Sequence, residues 1–104
     1  MRTPERIEKD KLEDFLKLLP HCYEFNPVQM GYGKRTVDKL ACINGRFWGI
    51  ECKKKYHTGP LPPRQRRILD DIEAAGGMTT WGSAEKCIGE IKAWLSTTTK
   101  RTMS

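Results

Sequence analysis

"VDKLACINGRFWGIECKK", residues 37–54, decides the fold. Its centre is Asn44-Gly45, a pair that tolerates the positive φ of a two-residue type I′ hairpin turn. The flanking runs are rich in strand formers: Leu40 and Ile43 before the turn, Phe47, Trp48 and Ile50 after it. They read as two antiparallel strands, "TVDKLACI" and "RFWGIECKK". Ile43 then faces Arg46, and counting outward in step puts Asp38 opposite Glu51. Facing residues hold their Cβ atoms about 4.5–5.5 Å apart. Lys53 is two positions beyond Glu51 and points to the same side of the sheet. The rest of that side is Leu40, Cys42, Phe47 and Gly49, which predicts a buried face. The register depends on a turn without a bulge.

Two like charges set opposite each other destabilise a sheet, and partial burial adds to the cost. A divalent cation offsets both effects. Hard cations such as Mg²⁺ take carboxylate and carbonyl oxygens, so Asp38, Glu51 and the main-chain carbonyl of Cys52 form a plausible ligand set. A lysine beside such a centre can position water or neutralise charge on a phosphate. In outline this is a site for phosphodiester hydrolysis. The plainer alternative pairs the two acids with Lys39, Lys53 or Arg35 at the end of the sheet.

Around the hairpin the chain alternates helix and strand signals. A first helix is expected over about Pro4–Leu19, capped by Thr3, with a stripe of Ile7, Leu12, Phe15, Leu16 and Leu19 and a stop at Pro20. "CYEFNPV" (22–28) reads as a strand and "QMGYGKR" (29–35) as a loop. A second helix should open at Pro62 or Pro63 and run to about Ala75, where Gly76-Gly77 ends it. "MTTW" (78–81) reads as a short strand. Ser83 then caps a last helix with Ile88, Ile91, Trp94 and Leu95 on its buried side. The order is α-β-β-β-α-β-α, a mixed sheet with helices on it, in the α/β class. Trp48, opposite in face to Asp38, is expected in the core, and Trp94 in the core or an interface.

The 104 residues suit one domain, taken as 1–97, with a frayed, disordered tail over 98–104. No run is long and apolar enough to span a bilayer, and the charged start has no signal-peptide character, so a cytoplasmic protein without membrane contact is expected. None of the four cysteines forms a C-x-x-C pair, which disfavours structural zinc. At least three of them fall in apolar patterns as small buried hydrophobes. Lys and Arg number 19 against 13 acids, a net +6 that fits a polyanion. The positive charges gather at Lys34-Arg35, Lys53-Lys54-Lys55 and Arg64-Arg66-Arg67, on both sides of the hairpin's end.

Beyond the spacing of Asp38, Glu51 and Lys53, the stretches "LKLLPHCYEFNPV", "GYGKRTVD", "CINGRFWGIECK", "LPPRQRRIL" and "AAGGM" agree in order with one family. Over roughly residues 8–95 the chain resembles the small stand-alone VRR-NUC nucleases of phages and prophages, within the PD-(D/E)XK superfamily. The resemblance implies a restriction-endonuclease-like core and a metal-dependent endonuclease. It implies Asp38 and Glu51 as metal-binding acids, Lys53 as the catalytic lysine and Gln65 as the glutamine that opens the helix after the ExK strand. It also implies a glutamate from the first helix. Glu8, on the apolar stripe, is the preferred choice, with Glu5 and Glu13 as alternatives. The cofactor would be Mg²⁺ or Mn²⁺.

The chain departs from the family pattern at Val37, where proline is usual, and at Lys39, where an apolar residue is usual. Lys39 points away from Asp38 and is expected to be exposed or to contact DNA or a partner. Lys34, Arg35, Lys54, Lys55, Arg64, Arg66 and Arg67 would track the DNA backbone. Tyr32, Tyr56 and His57 are loop residues near these clusters. By likeness to Holliday-junction resolvases, the expected partners are branched or structured DNA and a second copy of the chain, in a bacterial or phage-infected cell. A catalytically silent nucleic-acid-binding module and a nuclease for nicked or supercoiled duplex DNA are the competing readings.

Overall fold

In a computed structural model that describes residues 2–27 and 36–98, the elements follow the expected order. They are α1 (Pro4–Leu18), β1 (Cys22–Phe25), β2 (Lys39–Ile43), β3 (Arg46–Cys52), α2 (Pro63–Ala74), β4 (Met78–Gly82) and α3 (Ala84–Thr97). Thr3 caps α1 by accepting a hydrogen bond from the Arg6 amide at 3.1 Å. The helix stops one residue before the sequence suggests, because Leu19 is already extended ahead of Pro20. Ser83 caps α3 in the same way, through the Lys86 amide.

The sheet order is β1-β2-β3-β4, with β1, β2 and β3 antiparallel in sequence and β4 parallel to β3. Asn44 and Gly45 take positive φ, 50° and 81°, and the hairpin register is the one the turn dictates: Ile43 opposite Arg46, Lys39 opposite Ile50. Both strands are shorter than the sequence runs. Asp38 lies just before β2 and Lys53 just after β3.

Each face of the sheet has its own cover. Ala41, Ile43, Trp48, Ile50 and Cys52 meet Leu12 and Leu16 of α1 and Cys87 and Ile91 of α3 in the main core. Trp48 packs edge-on against Trp94 at 5.5 Å between ring centroids. On the opposite face α2 forms a smaller core in which Leu69 joins Val37 and Leu61. The helix lies so close that a Cβ on Gly49 would come within 2.5 Å of Ile72 Cδ1.

That second face is less buried than its pattern suggests. Tyr23, Phe25, Cys42 and Phe47 are exposed on it, because the short α2 covers the β3–β4 side and leaves the β1–β2 side open. The cysteines divide accordingly: Cys52 and Cys87 are buried, Cys22 is half-buried and Cys42 is exposed. No described helix is long and apolar enough to cross a membrane. Val28, Tyr32, Lys34, Arg35 and the tail from residue 99 lie outside the described residues.

Candidate active site

The hairpin brings Asp38 and Glu51 together at the end of the sheet. The Asp38 amide donates to Glu51 Oε1 at 3.2 Å. Glu51 is almost fully buried at the end of β3. Burial first, and then the charge of Asp38, push the Glu51 carboxyl up to about 7, while Lys53 pulls it down. Lys53 Nζ lies 3.8 Å from Glu51 Oε2 and donates to Gln65 Oε1 at 2.9 Å. Gln65 can do this because proline starts α2 two residues earlier and turns the helix's first turn toward the end of β3. Four of the residues singled out from sequence are therefore connected: Asp38 to Glu51, Glu51 to Lys53, and Lys53 to Gln65.

One atom of this group is left over. Asp38 Oδ2 is buried without a hydrogen-bond partner, an arrangement that is costly in the absence of a cation. The donor chemistry suits a hard divalent ion: two carboxylates, with the Cys52 carbonyl next in the chain after Glu51. Among the described residues no group of three or more Asp, Glu, His or Cys side chains forms a cage. An ion here would keep several waters, as Mg²⁺ commonly does. The Cys52 side chain itself points into the main core.

Three comparisons bear on the fold so assembled. No family model matches the sequence, and no curated protein matches it. A solved structure described as a VRR_NUC domain superposes with a TM-score of 0.67 at 20% identity, covering 88% of this chain and 97% of that one. The chain has the VRR-NUC fold.

Within this VRR-NUC fold the first helix departs from expectation. Glu8 is buried, but it turns to α3, where Oε1 accepts from the Ala84 amide at 2.8 Å and Oε2 lies 3.7 Å from Lys11 Nζ. It satisfies an orphan amide at a helix start. Of the alternatives, Glu5 pairs with Lys9, and Glu13 pairs with Lys17 and Lys39. The α1 side chain that reaches the acid pair is Lys9, with Nζ 3.5 Å from Asp38 Oδ1. Sequence reasoning passed over it. The available signal was its position three residues before buried Leu12, which sets it at the margin of the apolar stripe.

Lys39 is also corrected. It is neither exposed nor available to DNA: it is buried on the α1 side, hydrogen-bonded to Glu24 of β1 and 3.9 Å from Glu13. The hydrogen bond from Lys17, with a smaller contribution from Lys39, holds the Glu13 carboxyl below its ordinary value.

The basic residues fall into two kinds. Lys54, Lys55, Arg64 and Arg67 are exposed and have no carboxylate partner among the described residues. Arg66 is half-buried and paired with Asp70 at 3.1 Å. Tyr56 is exposed, with Lys55 Nζ 5.5 Å from its ring centroid. His57 packs edge-on against Trp81, and its Nε2 is buried without a hydrogen-bond partner.

Proposed function

We propose that this protein is a metal-dependent endonuclease that hydrolyses phosphodiester bonds in DNA. The observation that carries the reading is the Asp38–Glu51 contact, with Asp38 Oδ2 left unpaired beside the Lys53–Gln65 hydrogen bond. The VRR-NUC fold supports it, since this chain matches 97% of the length of a solved structure described as a VRR_NUC domain.

Asp38 and Glu51 would hold Mg²⁺ or Mn²⁺, with the Cys52 carbonyl completing the protein's share of ligands. When bound, the ion polarises the phosphate and lowers the pKa of water. Binding also favours the charged form of Glu51, which burial otherwise opposes. Gln65 orients Lys53 by accepting one hydrogen bond from it, and leaves the ammonium two further N–H donors. Those donors can order the attacking water or neutralise charge that develops on the phosphate. Lys54, Lys55, Arg64 and Arg67 position the backbone and carry little sequence information.

The preferred substrate in this reading is branched DNA, such as a four-way junction or flap, cut by a homodimer whose two sites address paired strands. The test is cleavage of labelled junction, flap and linear duplex with Mg²⁺, Mn²⁺ or EDTA, beside Asp38→Ala and Lys53→Ala. Metal-dependent cleavage lost in both variants supports the nuclease, and the order of substrates tests the branch preference. Binding without cleavage of any substrate in either metal favours the silent binding module.

A further inference from the structure

The residue that α1 presents to the acid pair is a cation. Lys9 Nζ stands 3.5 Å from Asp38 Oδ1 and 3.5 Å from Glu5 Oε2. Its side chain is one-third exposed, so it sits at the mouth of the site rather than sealed within it. It lines two hollows. One, of about 220 Å³, is shared with Asp38, Asn26 and Cys52. The other, of about 470 Å³, lies among Thr3, Glu5, Arg6 and Lys54. Lys9, with Arg6, therefore stands between Asp38 and a recess that carries Lys54 and the Glu5 carboxylate.

We infer that Lys9 is an exchangeable counter-ion: it neutralises Asp38 while the pair is empty, and turns to a DNA phosphate when a divalent cation takes Asp38. The inference rests on the proposed reading of the pair as a cation site. An ammonium and a divalent ion repel each other, so they cannot share Asp38 at close range without loss. Lysine suits the exchange, since its compact charge rides on a flexible four-carbon stem. The recess gives it a destination, since Lys54, exposed and without a carboxylate partner among the described residues, lines it too. The cation that holds the empty site together thus becomes part of the grip on substrate.

This makes two effects of one substitution run in opposite directions. Lys9→Met keeps the stem and removes the charge. The readouts are the Mn²⁺ concentration giving half the rise in melting temperature without DNA, and the affinity for labelled duplex with Mn²⁺ in a Lys53→Ala background that does not cut. Lys9→Met should reach its half-rise at about five-fold lower Mn²⁺ and bind DNA about five-fold more weakly, the scale of one partly exposed ion pair or phosphate contact. Lys9→Arg, which keeps the charge, should stay near wild type in both. Melting without metal reports whether Lys9→Met is folded, and Lys9→Arg gives an independent reading if it is not.

An unchanged Mn²⁺ midpoint in Lys9→Met, or tighter metal binding with undiminished DNA affinity, overturns the exchange while leaving the metal site intact. An Arg variant that behaves like Lys9→Met also overturns it. A wild-type melting temperature indifferent to millimolar Mn²⁺ overturns the cation site itself and the exchange with it.

Discussion

Two charge groups lie on adjacent residues and are built in opposite ways. Lys39 is buried between β1 and α1, with Glu24 and Glu13 as its partners. One residue earlier, Asp38 faces Glu51 across the hairpin, with one of its own oxygens unpaired and with Glu51 pushed up to about 7. The first group is internally satisfied and ties a helix to the sheet. The second leaves a buried acceptor oxygen unmet and a carboxyl whose charge burial opposes, even with Lys53 and Lys9 nearby. A fold tolerates such a deficit where a ligand makes it good, and this separates a structural ion cluster from a site.

The contrast breaks most visibly in activity. Asp38→Ala or Lys53→Ala should lower DNA cleavage by at least about 10²-fold, the scale of losing a positioned charged group. Lys39→Ala should leave the rate per folded molecule within a few-fold. Equal losses from the two groups would erase the distinction.

Stability should show the reverse. Lys39→Ala leaves Glu24 and Glu13 without their buried cation, and should cost about 3 kcal/mol in chemical denaturation. Asp38→Asn, which relieves repulsion, should leave metal-free stability unchanged or raise it. A larger loss from Asp38→Asn than from Lys39→Ala would contradict the account.

The pH dependence of metal-free protein sharpens the same point. Folded Glu51 binds its proton up to about 7, whereas its ordinary value is 4.5. Between these values the folded state holds more protons than the unfolded one, so stability from this group is fully present below 4.5 and is lost as pH rises through about 7. The span corresponds to at most roughly 3 kcal/mol. In EDTA, the stability difference between wild type and Glu51→Gln should shift across that window. A constant difference would show that Glu51 titrates normally.

Glu8 supplies the smallest effect. Glu8→Ala should cost about 1–2 kcal/mol by leaving the Ala84 amide unpaired, and should lower cleavage only in proportion to folded protein. A rate loss as large as that of Asp38→Ala, in folded protein, would return Glu8 to the chemistry.

What could be read from sequence follows from how far each signal reaches. Asn44-Gly45 sets a register by local geometry, and that register alone carries Asp38 to Glu51. Gln65 is nearly as legible, since the prolines fix where α2 begins. Lys39 is not, because its burial depends on Glu24 and Glu13 from two other elements. Glu8 and Lys9 are adjacent on a charged helix, and periodicity shows which side faces inward without showing what stands opposite. Only the packing of α1 beside α3 and on the sheet sends Glu8 to Ala84 and Lys9 to Asp38. Phe47 and Cys42 follow an inward pattern, yet the pattern is silent on how far α2 extends over the sheet.

The central claim is that the deficit at Asp38 and Glu51 is a cation site. Titration calorimetry of Mn²⁺ into wild type and Asp38→Asn, without DNA, tests it most directly. The account predicts saturable binding to wild type that is lost or greatly weakened in the variant. Equal binding to both, or none to wild type, would contradict it.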